Sequence, residues 1–213
     1  MIKNPYSGKF ISIDGVDGAG KSTQMEFIEH WFGKRGYDVY FGHEPTMGKT
    51  GSKVNKIIKR KKSAPKDPRE LQRMFIQDRK EHLEFEVIPI LKKGGLYICD
   101  RYLLSTLAYG MAEGISFDDL MMDHEDILKD DFILPDMMLI IDTPVDIAIA
   151  RIKNRKSDKD LEYFEKKEDV MRRVSDSFKM FSGKFDNIIS VSGYLSISEV
   201  TDEIQNILNK NFK

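Results

Sequence analysis

Residues 9–23 read KFISIDGVDGAGKST. The first six place Phe10, Ile11 and Ile13 before an acid, the pattern of a short buried strand ending at Asp14. From Gly15 to Ser22 the spacing is G-x-x-x-x-G-K-S, and beyond it Met25, Ile28 and Phe32 recur on one helical face while Glu26, Glu29 and Lys34 project elsewhere. Strand, glycine-rich turn and helix in that order form a cradle for an anion. Glycines let consecutive backbone N–H groups converge without side-chain obstruction, and the helix N-terminus adds partial positive charge. The residues of this cradle are Gly15, Val16, Asp17, Gly18, Ala19, Gly20, Lys21, Ser22 and Thr23. Lys21 is placed to reach the β and γ phosphates of a nucleoside triphosphate, and Ser22 to give its hydroxyl to Mg²⁺. The loop does not say whether the phosphoryl group goes to water, to a protein or to a small acceptor.

Four further apolar runs follow: YDVYFG from Tyr37, GLYICD ending at Asp100, DMMLIID ending at Asp142 and NIISVS from Asn187. Helical patterns cover Ser22 to Lys34, Gly51 to Arg60, Asp67 to Lys93, Phe117 to Lys129, Val145 to Arg155, Phe164 to Ser182 and Ile197 to Lys210. Asp67-Pro68 opens the long third helix and Lys92-Lys93-Gly94 closes it, with Pro89 expected to kink its last turn. The alternation predicts an α/β protein with the three-layer P-loop NTPase fold: a five-stranded parallel sheet flanked by helices. A single domain over 1–213 is expected, with a charged lid at about 152–164 between two helices.

The composition agrees with this. Hydrophobic residues make up 40% and charged residues 32% of 213, close to globular averages. Thirty-four basic against thirty-five acidic side chains leave a net charge of −1, which removes the footprint of a non-specific nucleic-acid binder. No apolar run is long enough to span a membrane, the first ten residues lack the apolar centre of a secretory signal, and Cys99 is the lone cysteine. A cytoplasmic protein without membrane or nucleic-acid partners is expected. His30, His82 and His124 lack the spacing of a zinc site.

Two acids close apolar strands and compete as the second metal ligand. Asp100 is followed by Arg101 and Tyr102, and an Asp-Arg pair suits a site with two phosphates; Asp142, before Thr143-Pro144, reads better as a helix cap. Four blocks in order, GVDGAGKST at 15–23, EPT at 44–46, MFIQDRKEH at 74–82 and DRYLLSTLAY at 100–109, together resemble the thymidylate kinase family from about Phe10 to Phe181. That resemblance implies transfer of the γ-phosphoryl group of ATP, with Mg²⁺, to dTMP by a homodimeric enzyme. It assigns Asp17 to the sugar 3′-hydroxyl, Phe75 to stacking on thymine, Arg79 to the pyrimidine ring and Arg101 to the dTMP phosphate. Tyr109 would exclude a ribose 2′-hydroxyl, Ser105 belongs to the same block, and Glu44-Pro45 would border the acceptor with a cis proline. Without the resemblance, Phe75 on an amphipathic helix reads more readily as a core residue than as a stacking platform.

The family carries its catalytic arginine either in the phosphate-binding loop or in the lid. Gly18-Ala19 occupies the loop position here, so the lid must supply it, with Arg155 the first candidate and Arg151, four residues earlier on the same face, the second. His43 stands where relatives have Arg, leaving Lys49 or Lys53 as possible replacements, and Gly110 stands where a polar residue is usual. Other kinases of nucleotides or deoxynucleosides share the fold. A nucleotide-dependent switch is a third reading, although the N-K-x-D guanine signature is absent.

Overall fold

The computed structural model describes residues 1–59, 63–155, 161–165, 167–181 and 184–212. In chain order the elements are β1 (Ile2–Lys3), β2 (Lys9–Asp14), α1 (Lys21–Gly33), β3 (Val39–His43), α2 (Lys49–Ile58), α3 (Pro68–His82), α4 (Ile88–Lys92), β4 (Leu96–Asp100), α5 (Leu103–Ala112), α6 (Phe117–Leu128), β5 (Ile133–Leu134), β6 (Met137–Asp142), α7 (Val145–Arg155), α8 (Glu168–Phe181), β7 (Ile188–Ser192) and α9 (Ile197–Asn211). The five predicted strands form one parallel sheet in the order β3-β4-β2-β6-β7. Central β2 is paired on both sides, and Phe10 to Asp14 are all buried, which is why its apolar character is nearly continuous. Asp100 lies level with Ile13 of β2 and His43 of β3. Three strands therefore end at one edge, where a doubly wound sheet places its ligands.

The sequence pattern predicts no helix over 103–112, where the structure has α5. Nine of its ten residues are buried, so it carries no amphipathic stripe to read. Its own N-terminal residue, Tyr102, supplies no side-chain cap; the buried carboxylate of Asp14 instead accepts from the backbone N–H of Tyr102 at 3.1 Å, the N–H of Ser105 at 3.0 Å and the Ser105 hydroxyl at 2.6 Å. One strand end thus caps the helix that follows another. Burial pushes the Asp14 carboxyl up despite these donors. Asp14→Ala is expected to cost about 2 kcal/mol in a denaturant titration, because two buried N–H groups lose their acceptor, whereas Asp14→Asn retains an acceptor oxygen and costs less.

The long third helix is interrupted rather than merely bent. After α3 the chain makes a π turn over Leu83–Val87, closed by a bond from the Ile88 N–H to the Leu83 carbonyl, and only then enters α4 with Pro89 in its first turn. A proline cannot donate to residue i−4 and crowds that carbonyl, so the widened turn absorbs the mismatch. The sequence also concealed a two-residue pairing of β1 with β5, too short to show alternation. α2 ends at Ile58, and α8 begins at Glu168. Residue 60 of the second predicted helix, residues 166 and 182 of the sixth, and residues 156–160 of the expected lid lie outside the described residues.

Beneath the sheet edge sits Cys99 on β4, fully buried; its thiol donates to the Arg101 carbonyl at 3.0 Å, and burial pushes the thiol well up. Among the described residues no helix is long and apolar enough to cross a membrane.

Candidate active site

Gly15, Gly18 and Gly20 all hold positive φ, at 148°, 79° and 102°, so the turn after β2 depends on residues without a Cβ. Gly18 also has a neighbour: a Cβ there would stand 2.4 Å from the Ala148 carbonyl of α7. α7 therefore occupies the space that a side chain at this loop position would need. Gly20 precedes α1 without a side-chain cap, leaving the first helical N–H groups to face a phosphate. Lys21 is buried beneath the loop, its Nζ 3.3 Å from the Val16 carbonyl and 3.4 Å from that of Gly15. Burial and then the Arg101 charge push its ammonium down. A bound polyphosphate would reverse that penalty.

The Asp100 carboxylate lies 3.9 Å from Lys21 Nζ, and its buried Oδ1 accepts no hydrogen bond. It lines an open cleft together with Ser22 and His43. An orphaned carboxylate oxygen beside a helix-terminal hydroxyl is the oxygen donor set that suits Mg²⁺. Asp142 does not line this cleft.

Arg101 turns the chain from β4 into α5 with φ at 68°, a left-handed conformation that is costly for a residue with a Cβ. The turn aims its guanidinium at the phosphate loop. There it donates to Asp17 Oδ1 at 2.5 Å, the Gly15 carbonyl at 3.1 Å and Ser105 Oγ at 3.2 Å, with N–H donors left for an anion. Tyr109 donates to Asp17 Oδ2 at 3.2 Å. Burial opposes ionisation of Asp17, but Arg101 and Lys21 outweigh it and hold the carboxyl below the usual range.

α3 and the 44–46 loop are interlocked. Asp78 accepts from the Thr46 N–H at 2.7 Å and its hydroxyl at 2.6 Å. The next residue, Arg79, donates to Glu44 Oε2 through Nε at 2.9 Å and Nη2 at 2.6 Å, and one turn further His82 meets Glu44 Oε1 at 3.1 Å. Arg79 also donates to Thr106 at 3.0 Å and to His124 Nε2 at 2.7 Å. His124 Nδ1 bonds the Leu120 carbonyl, so the ring is a neutral acceptor, and burial with the adjacent guanidinium lowers it to about 3. The Glu44–Pro45 peptide bond is cis. Glu44, His82 and Cys99 place ligand-type atoms within 4.8 Å of one another, but both oxygens of Glu44 are already engaged.

Two clefts meet at the loop. One, of about 640 Å³, is lined by Asp17, Pro45, Phe75, Arg79, Arg101 and Tyr109. The other, of about 850 Å³, is lined by Gly18 to Gly20 and Thr23, by Arg151 and Arg155 of α7, and by Gly193 and Leu195 after β7. An open cleft on each side of one phosphate cradle is the arrangement that a phosphotransferase with two nucleotide substrates requires.

Comparison with known proteins agrees. The model of the family described as thymidylate kinase matches residues 13–204. The chain belongs to the thymidylate kinase family. It is 31% identical over 200 residues to a probable thymidylate kinase of Pyrococcus abyssi, covering 92% of this chain and 94% of the relative. It is 32% identical over 203 residues to a thymidylate kinase of Vesicomyosocius okutanii, covering 94% and 97%, and 31% identical over 204 residues to one of Desulfotalea psychrophila, covering 96% and 95%.

As a thymidylate kinase family member the chain brings Asp17, Glu44, Pro45, Phe75, Arg79, Arg101, Ser105 and Tyr109, all named from its sequence for the acceptor, to one cleft. Thr23, Arg151 and Arg155 line the second, and Ser22 and Asp100 a third. Ile76 takes the core position and leaves the half-buried Phe75 facing the cavity. Arg79 reaches the cavity with most of its donors spent on Glu44, Thr106 and His124. Ser105 supports both Arg101 and Asp14. Val16 is core packing. Of the lid arginines, Arg151 lies across the loop and donates to the Ala19 carbonyl at 3.2 Å, whereas Arg155 is exposed and donates to the Arg151 carbonyl at 3.3 Å. Lys53 faces a separate depression between α2 and α3, whereas Lys59 lines the cleft that holds Phe75 and Tyr109. Also missed were Thr106, Gln72 and Phe164 in the cavity, and Thr143, which ties β6 to the loop through the Ala19 carbonyl at 3.0 Å. The strand-end position of Thr143 was the only signal for it.

Proposed function

We infer that this protein transfers the γ-phosphoryl group of ATP to dTMP, a step toward dTTP in nucleotide biosynthesis. The observation that carries the reading is the cavity between Phe75 and Tyr109, which meets the phosphate loop at the Arg101–Asp17 pair. Phe75 supplies a face for a pyrimidine, Arg101 a fork for the acceptor phosphate, and Asp17 an acceptor for the sugar 3′-hydroxyl. Tyr109, tethered to Asp17, fills the space beside C2′ and disfavours ribonucleotides by exclusion.

The transfer needs alignment, dryness and positive charge more than covalent help. Loop N–H groups and Lys21 hold the donor phosphates; Arg101 holds the acceptor phosphate in line. Arg151 is positioned over the loop to meet charge that develops between them. Ser22 and Asp100 would hold Mg²⁺, which offsets charge on the β and γ phosphates when bound. An acceptor that already carries phosphate needs no strong general base at its attacking oxygen.

The same reading includes one kinase domain over 1–213 with its lid at about 152–164, a cytoplasmic location and a homodimer, the last open to analytical ultracentrifugation. A coupled assay with ATP across dTMP, dUMP, dCMP, dGMP and thymidine tests the activity; turnover fastest with thymidine, or ATP consumption independent of acceptor, would overturn it. Replacing Arg151 with Met is expected to lower kcat about 10²-fold, and Arg155→Met less. Near-normal kcat in both variants would remove the lid arginines from the reaction.

A further inference from the structure

The acceptor cavity contains a polar side chain that the protein itself does not satisfy. Gln72 lies on the cavity side of α3, one turn before Phe75 and two before Arg79. It is fully buried, yet neither its amide nitrogen nor its amide oxygen has a hydrogen-bond partner. Space for it comes from Gly110 on α5, where a Cβ would stand 3.3 Å from Gln72 Cγ and 2.7 Å from the methyl groups of Leu120. Burying an amide without partners is costly, and a leucine would fill the same volume without that cost. A ligand that pairs with the amide when the cavity is filled removes the anomaly.

Glu113 fixes which end of the amide faces that ligand. It follows α5, does not line the cavity, and is neighboured by Lys167 Nζ at 3.6 Å and the Tyr163 hydroxyl at 3.5 Å. Burial pushes its carboxyl up, while Lys167, Tyr163 and Gln72 draw it back down. The amide is therefore near enough to favour the carboxylate, though it completes no hydrogen bond in good geometry, and Glu113 Oε2 has no partner. A carboxylate only accepts, so it draws the amide NH₂ and leaves the amide oxygen toward the cavity. Arg79, with its other donors committed, retains one N–H on Nη1. A donor from Arg79 beside an acceptor from Gln72 complements O4 and N3–H of a 4-oxopyrimidine. A 4-aminopyrimidine presents the reverse order.

Resting on the dTMP kinase reading, we propose that Gln72 is a specificity-determining residue for the acceptor base: its amide oxygen accepts from N3–H of a 4-oxopyrimidine, and Glu113 is the positioning residue that orients the amide. The test is Gln72→Leu, with Gln72→Met as a second variant of matched volume should the first not fold. Melting temperature without ligand is expected to stay level or rise, because an unsatisfied buried amide is lost. KM for dTMP should rise about tenfold with kcat little changed, and the dTMP to dCMP ratio of kcat/KM should fall by a similar factor. Calorimetry should show the same loss of dTMP affinity. Glu113→Leu should move the ratio in the same direction but less, and Glu113→Gln, which keeps an acceptor, should restore it. An active parent whose Gln72 variants keep KM and the ratio within about twofold overturns this inference alone. A parent inactive on dTMP brings down the underlying functional reading as well.

Discussion

Lys21→Ala is expected to lower kcat by about 10³-fold while leaving the protein as stable as the parent or more so. The two halves of this result have one cause. The Lys21 ammonium is buried, ringed by carbonyl oxygens at 3.3 and 3.4 Å, and disfavoured by burial and by Arg101. In the unliganded protein that cation is a liability only partly offset by Asp100 at 3.9 Å. It becomes favourable when phosphates carrying several negative charges enter the cradle, and most favourable as charge shifts during transfer. Steady-state kinetics beside thermal unfolding would check it. A variant that unfolds early while keeping substantial kcat would mean that Lys21 serves the fold rather than the reaction.

The largest stability effect should come from Arg79→Met. Arg79 and Glu44 have side chains only 2% and 3% exposed, and the bidentate contact is the main compensation for the Glu44 charge. Removing the cation strands a buried carboxylate, which typically costs about 3–5 kcal/mol. It also leaves Thr106 and His124 without their donor. Because Glu44 belongs to the loop that borders the acceptor, dTMP affinity should fall along with stability. Chemical denaturation of Arg79→Met, Glu44→Gln and the double variant forms a cycle, and the double variant should recover much of the loss. Simple additivity would show that the pair is not coupled.

These expectations also mark what the sequence made legible. The phosphate loop was readable because its chemistry is local: the strand, the glycines, Lys21 and Ser22 are contiguous and fold as one unit. The sheet was readable from its apolar runs. α5 was not, since a helix buried on all sides has no period, and its cap comes from Asp14, 88 residues before Tyr102 in the chain. Phe75 and Ile76 are adjacent apolar residues on a helix, and spacing alone could not say which faced the core. Nothing in the sequence singles out Gln72, and the packing of α3 against Gly110 is what reveals that it is buried. Arg151 and Arg155 share a helical face, but the difference between them depends on how closely α7 approaches Gly18.

The lone thiol under the strand ends provides a clock. Cys99 is wholly covered by its surroundings, and its high proton affinity keeps the reactive thiolate scarce. An alkylating reagent can therefore reach it only while the molecule is transiently open, so the pace of labelling counts openings without any engineered probe. Anything that binds the closed form slows that clock in proportion to its occupancy, so the untouched protein can report on its own substrates before a single phosphoryl group has moved.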